Sequence, residues 1–233
     1  MQNQLKVLAV IPARGGSKGI RNKNTVPLQG KPLIVYTLEA ASSSILLTRC
    51  IVSTDADDII AVCRSYGADI PFVRPGELAE DATPTLPVIL HALEQLGEVY
   101  DAVMVLQPTS PLRTGADIDT AVRMLTDNED ADSVISVVPV GDKHPARMKR
   151  IEQGYLVDPE FAEEQEGQRR QDLPELYLRN GAIYLTRTRA LLDQHSFKGR
   201  KSLAYVMPEE RSVNIDSEMD LLLASVIMDH KKL

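Results

Sequence analysis

Short apolar segments rich in β-branched residues alternate along this chain with amphipathic stretches of helical period, and this alternation restricts the fold more than any other feature. Strand signals lie at Val7–Ile11, Cys50–Thr54, Ala102–Leu106, Val134–Val140, Ala182–Leu185 and Leu203–Met207. Helical periodicity covers Pro32–Ala41, Ala56–Tyr66, Leu86–Leu96, Asp117–Leu125 and Ser217–Asp229, the last opened by a serine suited to capping. Apolar strands separated by helices predict an α/β fold with a mostly parallel sheet covered on both faces. A length of 233 residues suits one domain with a substantial core.

One stretch breaks the pattern. From 141 to about 174 charge rises and apolar periodicity fades, and the run Glu163 to Asp172 has no core face. Loops beyond about 15 residues in compact domains are usually functional or fold against something. We therefore expect an inserted excursion that packs on a second subunit. A net charge of -7 argues against a nucleic-acid partner, which needs a basic face. Cys50 and Cys63 both fall in apolar segments, predicting free buried thiols in a reducing compartment. No stretch approaches the ~18 uninterrupted apolar residues that cross a bilayer. The expectation is a soluble cytoplasmic protein with a small-molecule substrate and no membrane partner.

The first strand runs into Pro12-Ala-Arg-Gly-Gly-Ser-Lys-Gly-Ile-Arg-Asn-Lys-Asn24, which holds four cations and three glycines. Glycines let backbone N–H groups approach an anion, and Arg and Lys neutralise the charge of a phosphate chain and of a departing pyrophosphate. The loop lacks the Gly-Lys-Ser/Thr of a P-loop and the glycine spacing of the dinucleotide fingerprint. A solvated basic linker is the plain alternative. The position argues for function, because open α/β sheets bind ligands just beyond the carboxyl ends of their strands.

Ile11-Pro-Ala-Arg-Gly-Gly-Ser-Lys-Gly19 with Lys23-Asn24 resembles the signature of the acylneuraminate cytidylyltransferases, and the similarity spans nearly the whole chain. It continues through Ser53-Thr-Asp55, Arg74-Pro75, Glu77-Leu-Ala79, His91-Ala-Leu-Glu94, Leu106-Gln-Pro-Thr-Ser-Pro-Leu-Arg113, Arg170-Gln171, Asn180-Gly-Ala-Ile-Tyr184 and Ile215-Asp216. The resemblance implies a Rossmann-like sheet of the nucleotide-diphosphosugar transferase type, three layers deep, with a small dimerisation excursion. It also implies transfer of CMP from CTP to a nine-carbon acidic sugar, assisted by Mg²⁺, in a homodimer.

Residue by residue, the resemblance places Ala13, Arg14, Gly15, Gly16, Ser17, Lys18, Lys23, Asn24 and Thr85 at the nucleotide. Arg14, Lys18, Lys23 and Arg170 become the catalytic cations, and Gln107, Arg147, Arg170, Tyr184 and Phe197 the sugar contacts. Asp216, joined by Asn214, becomes the metal site. Plainer roles compete with several of these. Thr85 suits a helix cap, Gln107 could tie down the proline-rich turn, Tyr184 could be core, and Asp216 could cap the last helix. Arg113 reads as a surface salt bridge, and His91 and His144 as structural. Two features depart from the family pattern: Asn214 stands where an aspartate is usual, and Lys198 follows Phe197 where some members pair aromatics. Both bear on which sugar is accepted: N-acylneuraminate, legionaminic acid or pseudaminic acid.

Overall fold

The computed structural model describes residues 4–17, 19–163 and 167–230, except for the side chain of Arg170. Its centre is a six-stranded sheet of β1 (Val7–Pro12), β4 (Arg49–Ser53), β5 (Ala102–Val105), β6 (Ser133–Pro139), β9 (Tyr177–Arg187) and β10 (Ser202–Val206), in the order β10-β6-β9-β5-β1-β4. β1 pairs in parallel with β4 and β5, and β10 with β6, while β9 runs antiparallel between β5 and β6. Two small hairpins lie outside the sheet, β2 (Pro27–Leu28) with β3 (Lys31–Pro32) and β7 (Arg150–Glu152) with β8 (Tyr155–Val157).

Side chains on a strand alternate between faces, and β1 uses both. Val7, Ala9 and Ile11 pack in one cluster with residues of α1 (Leu33–Ser42), α2 (Asp57–Ser65) and α4 (Gly115–Asp127). Leu8 and Val10 pack in another with residues of α3 (Thr85–Leu96) and α5 (Thr188–Gln194). A strand shielded from water on both sides can therefore be continuously apolar, as Val7–Ile11 is. A third cluster brings Ile20, Leu28 and Leu112 onto Ile215 and Ala224, docking α6 (Glu218–His230) against the loop that follows β1. No helix among the described residues is long and apolar enough to cross a membrane.

The antiparallel β9 is longer than its sequence signal, and α5 and both hairpins carried no signal strong enough to register. Within 141–174 the described part forms a 3₁₀ turn at Pro145–Arg147, the β7–β8 hairpin and a second 3₁₀ turn at Arg170–Asp172. His144 fastens its base: Nδ1 accepts from Ala146 N at 3.1 Å, and Nε2 lies 3.0 Å from the Pro174 carbonyl. The cysteines are free. Cys63 is buried and Cys50 only partly so. Desolvation pushes their thiols up to about 11 and about 12 respectively, so neither is a thiolate nucleophile at neutral pH.

Candidate active site

From β1 the chain crosses to β4 on one side and then back to β5 on the other. That reversal opens a crevice at the carboxyl ends of the parallel strands, where such sheets bind ligands. A cavity of about 480 Å³ lies there, bordered by Arg14, Ser17, Lys23, Asn24, Arg74, Thr85, Gln107, Asn214 and Asp216 among others.

The loop after β1 is fixed by four contacts. Ala13 N donates to Ser53 O (3.0 Å), Gly15 N to Asp55 Oδ1 (3.0 Å), Asn24 Nδ2 to Arg14 O (2.9 Å) and Lys23 Nζ to Asp216 Oδ1 (2.9 Å). Asn24 is buried, and its amide holds the loop in shape. Gly16 lies at φ 65°. Gly19 passes so close to the final loop that a Cβ there would sit 2.9 Å from Asp216 O, a distance only glycine tolerates. Lys18 lies outside the described residues.

Arg14 forms a 2.6 Å ion pair with Asp81, with both side chains partly exposed. Arg74, which the sequence reading left unassigned, is a further cation bordering the cavity. It is buried, and its guanidinium bonds Ser53 Oγ (3.1 Å) and the Ser53 carbonyl. Desolvation lowers its pKa to about 10 against the support of Asp55, so it stays charged at neutral pH. Its only sequence signal was the Arg74-Pro75 match, and its placement depends on β4, a contact the local sequence does not reveal.

Thr85 is the first residue of α3, with Pro84 at the cap position and no side-chain cap bond. The capping role falls away, and Thr85 borders the cavity. Ser217 does cap. Its Oγ accepts from Asp220 N at 3.4 Å, while Asp220 Oδ2 accepts from Ser217 Oγ (2.7 Å) and from the N–H groups of Asp216 (3.0 Å) and Ser217 (2.7 Å). This arrangement orients Asp216. Asn214 Nδ2 donates to Asp216 Oδ2, and Asn214 Oδ1 is buried with no hydrogen-bond partner among the described residues. A buried acceptor left empty costs stability, so this oxygen and the exposed Asp216 carboxylate are ready to meet a cation or a donor. No group of three or more His, Cys, Asp or Glu suited to a metal occurs among the described residues.

The proposed sugar contacts are spread more widely. Gln107 borders the cavity. Tyr184 and Phe197 form an aromatic pair with centroids 6.3 Å apart, packed beside the cluster under α3 and outside that border. Arg147 stands on the excursion, where Nη2 donates to Gln168 O (3.1 Å). The side chain of Arg170 lies outside the described residues. Arg113 corrects its sequence reading. It is not a surface salt bridge but a side chain only 3 % exposed, bonded to oxygens of three segments. The proline-rich turn folds inward over β9, whose irregular middle leaves carbonyls in need of donors. The histidines keep structural surroundings, with His91 edge-on to Phe72 at 5.0 Å between centroids.

The doubly wound α/β domain sets a basic glycine-rich loop opposite the loop bearing Asp216 across a switch-point crevice, where folds of this class bind ligands. The sequence profile of the cytidylyltransferase family matches residues 8–198, and the chain belongs to that family. An N-acylneuraminate cytidylyltransferase of Escherichia coli O18:K1:H7 is 39 % identical over 226 residues, covering 97 % of this chain but 53 % of that protein; the chain thus spans about half that relative's length. A CMP-N,N'-diacetyllegionaminic acid synthase of Legionella pneumophila is 34 % identical, covering 97 % of both. Among solved structures, a CMP:2-keto-3-deoxy-manno-octonic acid synthetase complexed with CTP superposes with a TM-score of 0.70 over 97 % of this chain and 99 % of that one. At 16 % identity it supports the α/β fold alone.

Proposed function

We propose that the chain transfers CMP from CTP to a nine-carbon acidic sugar, N-acylneuraminate first, releasing pyrophosphate. The observation that carries this reading is the meeting of Arg14, Lys23 and Arg74 with Asp216 around one switch-point cavity, in a chain of the cytidylyltransferase family. The 2-hydroxyl oxygen of the acid forms a bond to the α-phosphorus as the bond from that phosphorus to the β-phosphate oxygen breaks. The hydroxyl proton passes to solvent. Positioning and charge neutralisation supply most of the catalysis in such transfers. Arg14, Lys18 and Lys23 neutralise the leaving group, and Thr85 contacts the nucleotide. Gln107 faces the sugar in this cavity, Tyr184 and Phe197 would meet it only beyond the cavity's border, and the forked guanidinium donors of Arg147 and Arg170 suit its carboxylate.

The donor set fits a hard divalent cation, since Mg²⁺ takes one or two protein oxygens and fills its remaining positions with phosphate and water. Asp216 and the empty Asn214 Oδ1 would hold it, and when bound it supplies Lewis-acid polarisation of the phosphates. Asp216→Ala should abolish Mg²⁺-dependent turnover; full activity of that variant at low Mg²⁺ would reject the assignment.

Legionaminic acid is the second reading, favoured by the end-to-end match to the Legionella protein. Pseudaminic acid shares the carboxylate and stands beside it. Pyrophosphate release is the test, measured with CTP, Mg²⁺ and each acid in turn, and with ATP, GTP and UTP as nucleotide controls. Release with CTP and one acid supports the reaction and names the acceptor. CTP binding with silence on every acid turns the reading toward a non-catalytic CTP-binding regulator.

The same reading includes pairing of two copies through the excursion, in a cytoplasmic protein with free thiols. Ile151, Tyr155, Leu156 and Phe161 are exposed on the excursion, and Leu176 and Leu178 just beyond it; exposed apolar side chains gathered on one segment suit a subunit contact. Leu156→Asp should convert a dimer to a monomer in sedimentation. An unchanged oligomer would clear this face of the role.

A further inference from the structure

Strand β9 leaves its ladder with β6 in mid-course. Ile135 pairs with Tyr184 and Val137 with Arg179, so Ser136 alone stands opposite Asn180, Gly181, Ala182 and Ile183. A bulge of this kind re-aims the chain and removes ladder partners from its backbone, and buried backbone groups must then find others. Side chains supply them here. Ala182 N donates to Asn180 Oδ1 (3.2 Å), and Ile183 N donates to Ser136 Oγ (2.8 Å). The Ala182 carbonyl accepts from Arg113 Nη1 at 2.8 Å.

Arg113 does more than satisfy that carbonyl. Nη1 also reaches the Gln107 carbonyl at 3.3 Å, and Nη2 donates to Thr37 Oγ1 at 2.7 Å. One buried guanidinium thus ties the turn after β5 to the bulge of β9 and anchors both to α1. The gap it spans is narrow on the cavity side. Gly181 lies at φ 78°, and a Cβ there would sit 2.7 Å from Gln107 Oε1 and 3.4 Å from Asn214 Oδ1. Gln107 therefore lies directly over the Gly181 backbone, and movement of either segment changes where its amide points. Burial lowers the Arg113 pKa to about 10, which leaves it charged at neutral pH, with neutral oxygens as its partners.

We propose that Arg113 is a positioning residue for the acceptor: it sets the separation between Gln107 and the Gly181 bulge, and through it the place of the acid relative to the nucleotide. The proposal rests on the acceptor role of Gln107 given above. A misplacement of about 1 Å at a reacting pair can cost about 100-fold in rate, so a strap of this kind acts on chemistry without touching substrate.

Amide hydrogen exchange on the substrate-free protein tests the strap without requiring activity. In Arg113→Lys, exchange should rise together in 107–110 and 180–183 and stay unchanged in the outer strands β4 and β10. A rise in one segment alone, or throughout the protein, overturns the proposal. Kinetics then tests the consequence. Arg113→Met should raise KM for the acid about tenfold and lower kcat, with KM for CTP within about twofold, and Arg113→Lys should recover part of the loss. Thr37→Val, which removes one anchor only, should shift the acid KM in the same direction by less and serves if Arg113→Met does not fold. Parallel shifts in both KM values, or a lowered melting temperature with unaltered constants, would mean a purely structural arginine. A wild-type protein silent on every acid counts against the proposed reaction, and the exchange result then decides the role of Arg113 alone.

Discussion

Lys23→Ala should slow pyrophosphate release from CTP by about 100-fold while leaving the protein folded. Its side chain is 18 % exposed, the residue borders the cavity, and its ammonium stands 2.9 Å from Asp216 Oδ1. Preorganised donors placed where charge develops are worth about 100- to 1,000-fold each, and 100-fold corresponds to about 2.7 kcal/mol of lost transition-state stabilisation. Removal has a second effect. Asp216 loses its cationic neighbour and meets an incoming triphosphate as an unrelieved negative charge, so KM for CTP should rise as kcat falls. The fold has little at stake, because the lost bond is a partly exposed ion pair, worth about 0–1 kcal/mol. Lys23→Arg keeps the charge and should recover part of the rate. Turnover of Lys23→Ala within threefold of wild type would remove this residue from the phosphates. Lys18→Ala should lose more than about tenfold by the same argument.

Legibility in the sequence followed the range of the interactions involved. The strand at Val7–Ile11 is unmistakable because burial on both faces leaves a continuous apolar run, and the loop after it stands out by its glycines and cations, a composition that suits a phosphate chain. Ser217 was readable as a cap because capping is settled within four residues. Arg113 was not readable. Its acceptors lie on α1 and β9, 76 and 69 residues away, and a turn rich in proline and serine looks like surface until those segments are placed. Asp55 and Arg74 escaped assignment for the same reason, since each acts on a neighbouring loop. The β9 bulge is invisible to a two-residue period, because Asn180-Gly-Ala-Ile reads as an ordinary strand entry. The β7–β8 hairpin has no buried face to give it an alternating pattern, so nothing marked it within the charged stretch.

The largest expected loss of stability follows from Asp117→Ala. Asp117 is 2 % exposed and gathers five hydrogen bonds: from Thr114 N (2.9 Å) and Oγ1 (2.8 Å), Tyr205 OH (2.6 Å), and Arg211 Nε (3.1 Å) and Nη2 (2.8 Å). Thr114 and Asp117 form the capping box of α4, while Arg211 closes the 3₁₀ turn Glu209–Arg211 that leads into Asn214 and Asp216. Alanine would leave Arg211 without its carboxylate and α4 without half of its cap. Breaking a buried pair from one side costs about 3 kcal/mol at the lower end, which suits the partly exposed Arg211. At about 2–4 °C per kcal/mol for a domain of this size, the melting temperature should fall by about 6–12 °C. The acid side carries its own signature. Burial, the largest influence, pushes the Asp117 carboxyl upward, but the bonds from Arg211, Tyr205 and Thr114 together outweigh it and hold the group below its ordinary 3.8. A depressed carboxyl contributes stability that is fully present above the unfolded value and is lost as pH falls through the folded one. The difference in stability between wild type and Asp117→Asn should therefore be constant from about pH 7 to 5 and shrink below about pH 4. A difference that stays flat down to pH 3 would show that packing, not the charge on Asp117, joins α4 to the loop bearing Asp216.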